Sequence, residues 1–406
     1  GTNQNIINIS NDGIVSAVGS LGGRGVIRLI PQDAVLVDEY GVKYYRENAI
    51  YLDINVIVAD GSSKETAIRI NSVSEIENGD LHYVLISSSD SISSYVLDTF
   101  NGGLYGKYND VDVSEIKLDN TCLFKTLGAN AIIEDLVLYG NAQQAFVCGT
   151  NNGIIRNIKV DIYGNENNIS TVTGTTGLDV GGLCGVNNGT IEDCSFAGSI
   201  TGEGQNVGGL VGTNNGQILN SKVLLYKIVS GKMSFAGTQN VGGLVGVMNS
   251  KSTMYYSFIK NYGDENISNN QHGALIGYIC TGALVKECFA EGVNGSNKIF
   301  NEIQDESKTT SVIKDSYVLH TDGSFDYYIT KPAGGYTTGS LADITESIPD
   351  FIGYGYNKTW NRISSGGAYT GYPYLNSVQA EPAVSQEDLE NIKNDSMSDY
   401  FQRGRG

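Results

Sequence analysis

The sequence predicts an all-β protein: a right-handed parallel β-helix of about eight coils, with a small N-terminal β module and a short C-terminal tail. The first observation behind this prediction is a repeat. Residues 180–196 read VGGLCGVNNGTIEDCSF, and residues 207–223 read VGGLVGTNNGQILNSKV. The second is that the repeat core keeps its length while the spacing between copies varies. Its last core glycine recurs at Gly128, Gly149, Gly185, Gly212, Gly246 and Gly277.

The composition agrees with tight corners and narrows the range of partners. The chain has 52 Gly but only 5 Pro and 17% charged residues, which favours ordered turns over disorder. Its 44 acidic against 26 basic residues give a net charge of −18, which makes nucleic acid a poor partner. No run of about 18 apolar residues is present, so membrane insertion is not expected.

The organisation along the chain predicts three parts: a β module over 1–59, the β-helix over 60–376, and a linker with a short acidic tail over 377–406. Strand-like runs at 25–30 and 49–59 mark the first part. The turn and strand from Asn11 to Gly19 resemble the later half of a bacterial immunoglobulin-like domain of group 2. The alternative is an unrelated β extension that caps the solenoid.

The entrance to the β-helix is predicted from 60–87. A turn at Asp60 precedes a short strand from Ala67 to Ile70, and a further strand begins at His82. Between them we expect a helix capped by Ser72, with Glu75 as the capping-box partner. Such a cap would cover the open edge of the first coil.

The repeat predicts three short strands per circuit. Asn-Asn-Gly supplies the first corner, since Asn and Gly tolerate positive φ, and a second bend follows at Asp193 and its equivalents. The polar segments 163–177 and 229–237 are predicted loops. The residues expected to point inward are Leu183, Leu210, Leu244 and Leu275, then Ile154, Ile191 and Ile218, and then Phe196, Val223 and Phe289.

The six cysteines show no Cys-x-x-Cys pair and no zinc-finger spacing. Cys148 and Cys184 hold equivalent places in their repeats, and Cys194 and Cys288 fall in the second half of theirs. Small thiols suit interior columns, so buried free thiols are favoured over disulfides.

The Gly-Leu-Val-Gly and Gly-x-Ile-x-Asn-Ser patterns resemble the GLUG repeat of bacterial surface proteins over residues 60–376. The segments Lys358–Arg362 and Gly371–Leu375 are similar to the closing part of such proteins, where Trp360 and nearby tyrosines would plug the last rung. The resemblance implies an extracellular location, at the cell surface or secreted. It implies an adhesin-like protein or the non-peptidase region of an IgA-cleaving metallopeptidase.

The sequence contains no metallopeptidase motif. His82, His272 and His320 are scattered, without a His-Glu-x-x-His motif. No cofactor is expected, although calcium is possible at Asp110 and Asp112, since oxygen-rich turns bind it readily.

A glycosidase or polysaccharide lyase would need paired carboxylates, or carboxylates with a basic residue. The candidates are Asp110 and Asp112 with Glu115, and Glu192 with Asp193. The sequence suggests no Arg or Lys in matched register on a neighbouring rung. Solvent-facing acidic residues are the simpler interpretation.

Tyrosine is abundant, with 25 residues beside 11 Phe and one Trp. Tyr105, Tyr255, Tyr256 and Tyr278 lie in or beside coils and are the candidate ligand-binding residues, because aromatic rings along a flat sheet can stack on sugars. The alternative is that they fill rung edges.

The favoured function is a non-catalytic extracellular module that binds a glycan or host surface protein, or that spaces neighbouring domains. The first alternative is a polysaccharide lyase or glycosidase. The second is an accessory region that grips substrate for an immunoglobulin-cleaving metallopeptidase.

Overall fold

The computed structural model describes residues 52–106, 114–161, 169–225, 234–261, 272–293 and 299–305, with shorter segments elsewhere. The shorter segments are mainly strands, within 7–45, 227–232 and 312–375. Asp110 and Asp112, the side chain of Trp360 and the tail over 377–406 lie outside the described residues. Within this part of the chain, no helix has the length and apolarity that crossing a bilayer requires.

The N-terminal segment contains three antiparallel strand pairs. They are Ile7–Ile9 with Val15–Ala17, Gly23–Leu29 with Leu52–Val58, and Val35–Val37 with Lys43–Tyr45. The predicted strands at 25–30 and 49–59 are therefore confirmed. The immunoglobulin-like resemblance and the domain boundaries stay predictions.

The body of the chain is a parallel β-helix whose sides are three stacked sheets. Among the described residues, sheet 1 has eight parallel strands. The parallel β-helix is confirmed, whereas the exact number of coils and the handedness stay predictions. In stacking order the strands of sheet 1 are Leu97–Phe100, Phe124–Leu127, Cys148–Asn151, Cys184–Asn187, Val211–Asn214, Val245–Met248, Ile276–Ile279 and Phe300–Ile303.

Sheet 2 is the broad side of the helix and has 21 strands. They are Ile68–Ile70, His82–Leu85, Ser89–Ile92, Gly103–Tyr105, Ser114–Asp119, Ile132–Gln143, Ile154–Val160, Thr171–Gly174, Thr190–Glu192, Ser195–Phe196, Ser199–Gly202, Gln217–Leu219, Lys222–Leu225, Thr253–Tyr255, Phe258–Asn261, Leu284–Lys286, Phe289–Val293, Ile313–Lys314, Ser316–His320, Ser324–Ile329 and Gly335–Ser340. Among the described strands of this sheet, the last two join antiparallel and form a meander on Ser316–His320.

Sheet 3 closes the circuit with four short parallel strands. They are Val180–Gly181, Asn206–Gly208, Asn240–Gly242 and His272–Gly273. Two antiparallel pairs stand apart from the three sheets, Lys227–Ile228 with Gly231–Lys232 and Trp360–Arg362 with Pro373–Leu375.

The entrance matches the sequence prediction closely. Ile68–Ile70 is a strand, and Val73–Glu75 is a single turn of 3-10 helix. Ser72 accepts a hydrogen bond from the Ser74 backbone, and Glu75 completes the capping box. Val73, the first residue of this turn, is fully buried, so the cap covers part of the first coil.

The interior consists of columns of like residues. Leu183, Leu210, Leu244 and Leu275 are all fully buried, as predicted. Each residue packs on its equivalents one rung above and below, where strands lie about 4.8 Å apart. This stacking fills the interior without a separate layer of helices.

The predicted second bend is a column of left-handed residues. Asn157, Asp193 and Asn220 have φ of 48°, 54° and 45°, and Tyr256 and Glu287 continue the column. Asn and Asp tolerate this conformation better than most residues. Asn157 lies inside the unbroken strand Ile154–Val160, but from Asp193 onward the bend separates two strands of sheet 2 in each rung, so those coils have more than the predicted three strands.

The bend also explains the Cys or Ser that follows it. The backbone N–H of Cys194 donates to Ser221 Oγ at 3.2 Å, and the N–H of Ser221 donates to Ser257 Oγ at 3.2 Å. A side chain from the next rung thus replaces the carbonyl acceptor of a regular ladder, which keeps a buried donor paired. Small side chains with an oxygen or sulfur atom fit this interior position.

The Asn-Asn-Gly corner differs from the prediction in its geometry. Among the described residues its members do not have positive φ. The glycine is needed because a Cβ at Gly153 or Gly189 would overlap a backbone carbonyl of the preceding rung. The first asparagine points inward, and Asn151, Asn187 and Asn214 form a buried amide ladder with Nδ2–Oδ1 distances of 2.8 and 2.7 Å.

Three other predictions need correction. Ile154 points outward in register with Thr190, and Ile155 takes the inward place beside Ile191. Phe289 is buried, but it lies in register with Phe258, one position before the predicted inward column, which Ala290 fills beside Ile259. The segment 229–237 is not entirely a loop, since Phe235 is fully buried and forms a bridge with Ile200. The 163–177 segment likewise includes the strand Thr171–Gly174.

All six cysteines are free thiols, and all except Cys280 are buried. Cys148 and Cys184 are in-register neighbours in sheet 1, as their equivalent repeat positions predicted. Burial raises the pKa of the Cys194 and Cys288 thiols to about 12, so these side chains remain neutral in the interior.

Candidate ligand-binding face

The outer surface of sheet 2 carries two regular columns of side chains. In Thr190–Glu192, Gln217–Leu219 and Thr253–Tyr255 the middle residue is fully buried and both flanking residues are partly exposed. This alternation is the period of a strand with one face buried. We call the two columns the outer array: Ile132, Ile154, Thr190, Gln217, Thr253 and Leu284 in column one, and Glu134, Arg156, Glu192, Leu219, Tyr255 and Lys286 in column two.

The outer array is periodic in both directions. Neighbouring rungs lie about 4.8 Å apart, and the two columns lie about 6.6 Å apart because they are two residues apart along each strand. The array therefore offers an extended, regular surface suited to a polymer that repeats along the helix axis.

The first half of column two is a chain of ion pairs. Lys64 Nζ lies 2.8 Å from Glu134 Oε2, and Arg156 Nη1 lies 3.8 Å from Glu134 Oε1. Arg156 Nε also donates to Glu192 Oε1. The Glu192 carboxylate raises the pKa of the Arg156 guanidinium, so the charges in this half stabilise each other.

Tyr105 lies at the start of column two but is buried rather than displayed. Its ring stacks on His82 with centroids 5.9 Å apart, its Oη is 2.8 Å from His82 Nδ1, and Lys64 Nζ lies 4.8 Å over its ring. Burial is the main reason why the pKa of Tyr105 is raised to about 12. Burial likewise lowers the pKa of His82. This pair packs the first coil, and with 2% exposure Tyr105 offers almost no surface to a ligand.

Tyr255 lies in the second half of column two, between Leu219 and Lys286 on the adjacent rungs. It is partly exposed. Tyr256 follows at the left-handed bend and packs against the core, with its ring centroid 6.0 Å from that of Tyr255. The two rings therefore have different surroundings although they are adjacent in sequence.

Tyr278 lies on another side of the helix. It belongs to sheet 1, in register with Val247 and Glu302. Desolvation is the main cause that raises its pKa. The structure thus brings Tyr255 and Tyr256 together, places Tyr105 about 24 Å away along the same column of rungs, and separates Tyr278 from them.

The two groups of candidate catalytic carboxylates, one with Glu115 and one with Glu192, lie on different strands. Glu192 and Asp193 are adjacent, and burial raises the pKa of Asp193. The expectation that no basic residue lies in matched register is wrong for this pair, because Arg156 is the in-register neighbour of Glu192. Glu115 lies on a different strand of sheet 2, in register with Ser89 and Val137.

Metal binding at Asp110 and Asp112 concerns residues outside the described part of the chain. Among the residues that the structure does describe, no three His, Cys, Asp or Glu side chains are grouped so as to hold a metal ion.

The sequence reasoning missed most of the outer array, including Glu134, Arg156 and Thr253. A usable signal was present, because the triplets after each corner, such as Thr190–Glu192 and Gln217–Leu219, share one apolar middle residue. Aligning those triplets would have paired Arg156 with Glu192.

Comparison with known proteins adds one sequence motif. A family model described as the GLUG motif matches residues 176–201. The chain contains a GLUG motif. This confirms the predicted resemblance for the copy around Val180–Phe196, whereas the wider span of 60–376 stays a prediction. No curated protein matches the chain.

Among solved structures, the chain is similar to a putative immunoglobulin A1 protease from Bacteroides ovatus. The two are 14% identical, with a TM-score of 0.38, and the alignment covers 78% of this chain and 94% of the other.

Proposed function

We propose that the chain is a non-catalytic binding module of an extracellular bacterial protein, either secreted or held at the cell surface. It contacts a glycan or a host surface protein through the outer array of sheet 2. The observation that carries this proposal is the array itself, a run of in-register, partly exposed side chains on a continuous parallel sheet.

The ion pairs of the array support binding over turnover. A general acid or base must exchange a proton with its substrate and needs a pKa near the working pH. Glu192 is held by Arg156, and Arg156 is held on both sides by carboxylates, which stabilises its charged form. These residues are suited to keeping the sheet surface ordered.

The stacked architecture supports presentation at a distance from a neighbouring domain. Eight rungs at about 4.8 Å spacing span on the order of 35 Å. Each repeat contacts only its neighbours, so loops of varying length can extend from a constant core.

The proposal is tested by incubating the full chain with fixed bacterial and epithelial cells, matrix proteins, immunoglobulin A and a glycan array, while reducing ends are assayed in parallel. Saturable binding without new reducing ends is the expected result. Turnover that is lost in Glu192→Gln would overturn the proposal in favour of a polysaccharide-active enzyme. Capture of immunoglobulin A alone would favour the accessory-region alternative.

A further inference from the structure

We propose that the second half of the outer array binds a neutral glycan, with Tyr255 as its stacking residue. This deepens the proposed function and rests on it. The site, which we call the Tyr255 platform, consists of Gln217, Leu219, Thr253, Tyr255, Leu284 and Lys286.

The platform is held rigidly from below. Ile218, Met254 and Val285 are the inward residues of its three strands, and each is fully buried. The strands are joined by parallel ladders without a register shift. The outward side chains are therefore fixed at the spacing of the rungs, which limits the ordering cost of binding.

The side chains of the platform combine an apolar centre with polar flanks. The Tyr255 ring has Leu219 on the rung before it in the same column, and Leu284 lies on the rung after it in the other column. Aromatic and aliphatic carbon suits the C–H face of a pyranose, while the Thr253 hydroxyl and Gln217 amide can exchange hydrogen bonds with ring hydroxyls. A sugar polymer lying along the helix axis would meet these groups on successive rungs.

The charge around the platform favours a neutral sugar over an acidic one. Lys286 Nζ lies 3.0 Å from Glu287 Oε1, so its charge is compensated within the chain. Glu192, which borders the platform on the preceding rung, is itself paired with Arg156, so this side of the platform adds no uncompensated positive charge for an acidic sugar. With a net charge of −18 on the whole chain, a uronate or sialate would approach against an unfavourable field.

The other candidate tyrosines do not offer the same surroundings. Tyr105 is only 2% exposed, and its hydroxyl lies within hydrogen-bonding distance of His82. Tyr278 has Val247 and Glu302 as its register neighbours on sheet 1. Tyr278 is therefore a matched control, since it is a partly exposed tyrosine in the same coils but outside the platform.

The experiment is affinity electrophoresis of the full chain in gels containing soluble neutral polysaccharides (hydroxyethylcellulose, xyloglucan, galactomannan) or acidic ones (polygalacturonate, hyaluronan). We expect at least one neutral polymer to retard the chain. Tyr255→Ala should weaken that retardation about tenfold or more, as for an interface anchor, while Tyr255→Phe and Tyr278→Ala should retain it. Circular dichroism confirms that each variant is folded.

Two results would overturn the proposal that the Tyr255 platform binds a neutral glycan. One is retardation by acidic polymers alone, and the other is equal retardation of Tyr255→Ala and the parent chain. If no polysaccharide retards the chain while it still binds cells or a matrix protein, the platform is overturned and the proposed function stands. If it binds neither polysaccharides, cells nor matrix proteins, both fail.

Discussion

The buried amide ladder provides a sharp test of the stacking argument. Asn187 is fully buried, accepts a hydrogen bond from Asn151 Nδ2 at 2.8 Å and donates to Asn214 Oδ1 at 2.7 Å. Its neighbour Asn188 takes part in a second ladder, with Nδ2 2.8 Å from Asn152 Oδ1, but this ladder is exposed. Truncating each residue to alanine therefore removes similar hydrogen bonds from opposite environments.

The expected magnitudes differ clearly. Asn187→Ala leaves Asn151 and Asn214 each without their short ladder bond in the interior, at about 1–3 kcal/mol per group. Asn151 Nδ2 keeps only a 3.4 Å contact with the Thr190 carbonyl, and Asn214 Oδ1 only a 3.3 Å bond from the Gly216 N–H. We therefore expect the free energy of unfolding to fall by about 3 kcal/mol. For Asn188→Ala, water replaces the lost partners, and about 0.5 kcal/mol is expected.

The assay is equilibrium unfolding in guanidinium chloride followed by circular dichroism, with hydrogen exchange to locate the effect. Stability in a stacked repeat is nearly a sum of local terms, so exchange of the amides around 184–190 should accelerate most. If both variants lower the stability equally, within about 0.5 kcal/mol, or if exchange accelerates uniformly along the chain, the reasoning is refuted.

Three further predictions concern single residues. Gly212→Ala should lower the free energy of unfolding by about 2–3 kcal/mol in the same denaturation assay, since its Cβ would lie 2.5 Å from the Val180 backbone nitrogen; a loss below about 0.5 kcal/mol would contradict the glycine packing. In Ellman titration of the native chain one thiol should react rapidly, and Cys280→Ser should abolish that reaction, because the other five cysteines are buried; two or more rapid thiols would be inconsistent with their burial. Asp193→Asn should raise the unfolding free energy at pH 7 by about 0.5 kcal/mol, since Asn220 already occupies the same bend. The pKa of Asp193 is higher in the folded chain than in the unfolded chain. The stabilising contribution of Asp193 is therefore fully present when the pH is below the unfolded-state pKa, and it is lost as the pH rises through the folded-state pKa. The gain measured from melting temperatures should therefore vanish below about pH 4, and a gain that grows on acidification would contradict this cause.

Much of the fold follows from repetition in the sequence. When equivalent residues stack in register, a recurring letter reports a shared interior position, which is why Leu183, Leu210 and the bend at Asp193 were predictable. The free, buried state of Cys148 and Cys184 follows from the same logic. The physical reason is that the interior column has the same neighbours in every rung, so it selects the same kind of side chain repeatedly.

The outer surface is decided by the tertiary structure, because its residues do not repeat. Arg156 and Glu192 are 36 positions apart, and only the stacking of their strands makes them in-register partners. Tyr105 and Tyr255 share one column, yet His82 and Lys64 cover the first while the second remains partly exposed. The sequence by itself therefore determined the coil and its inward columns. Which outer side chains stay accessible depends on which other residues cover them, and only three-dimensional packing sets that cover.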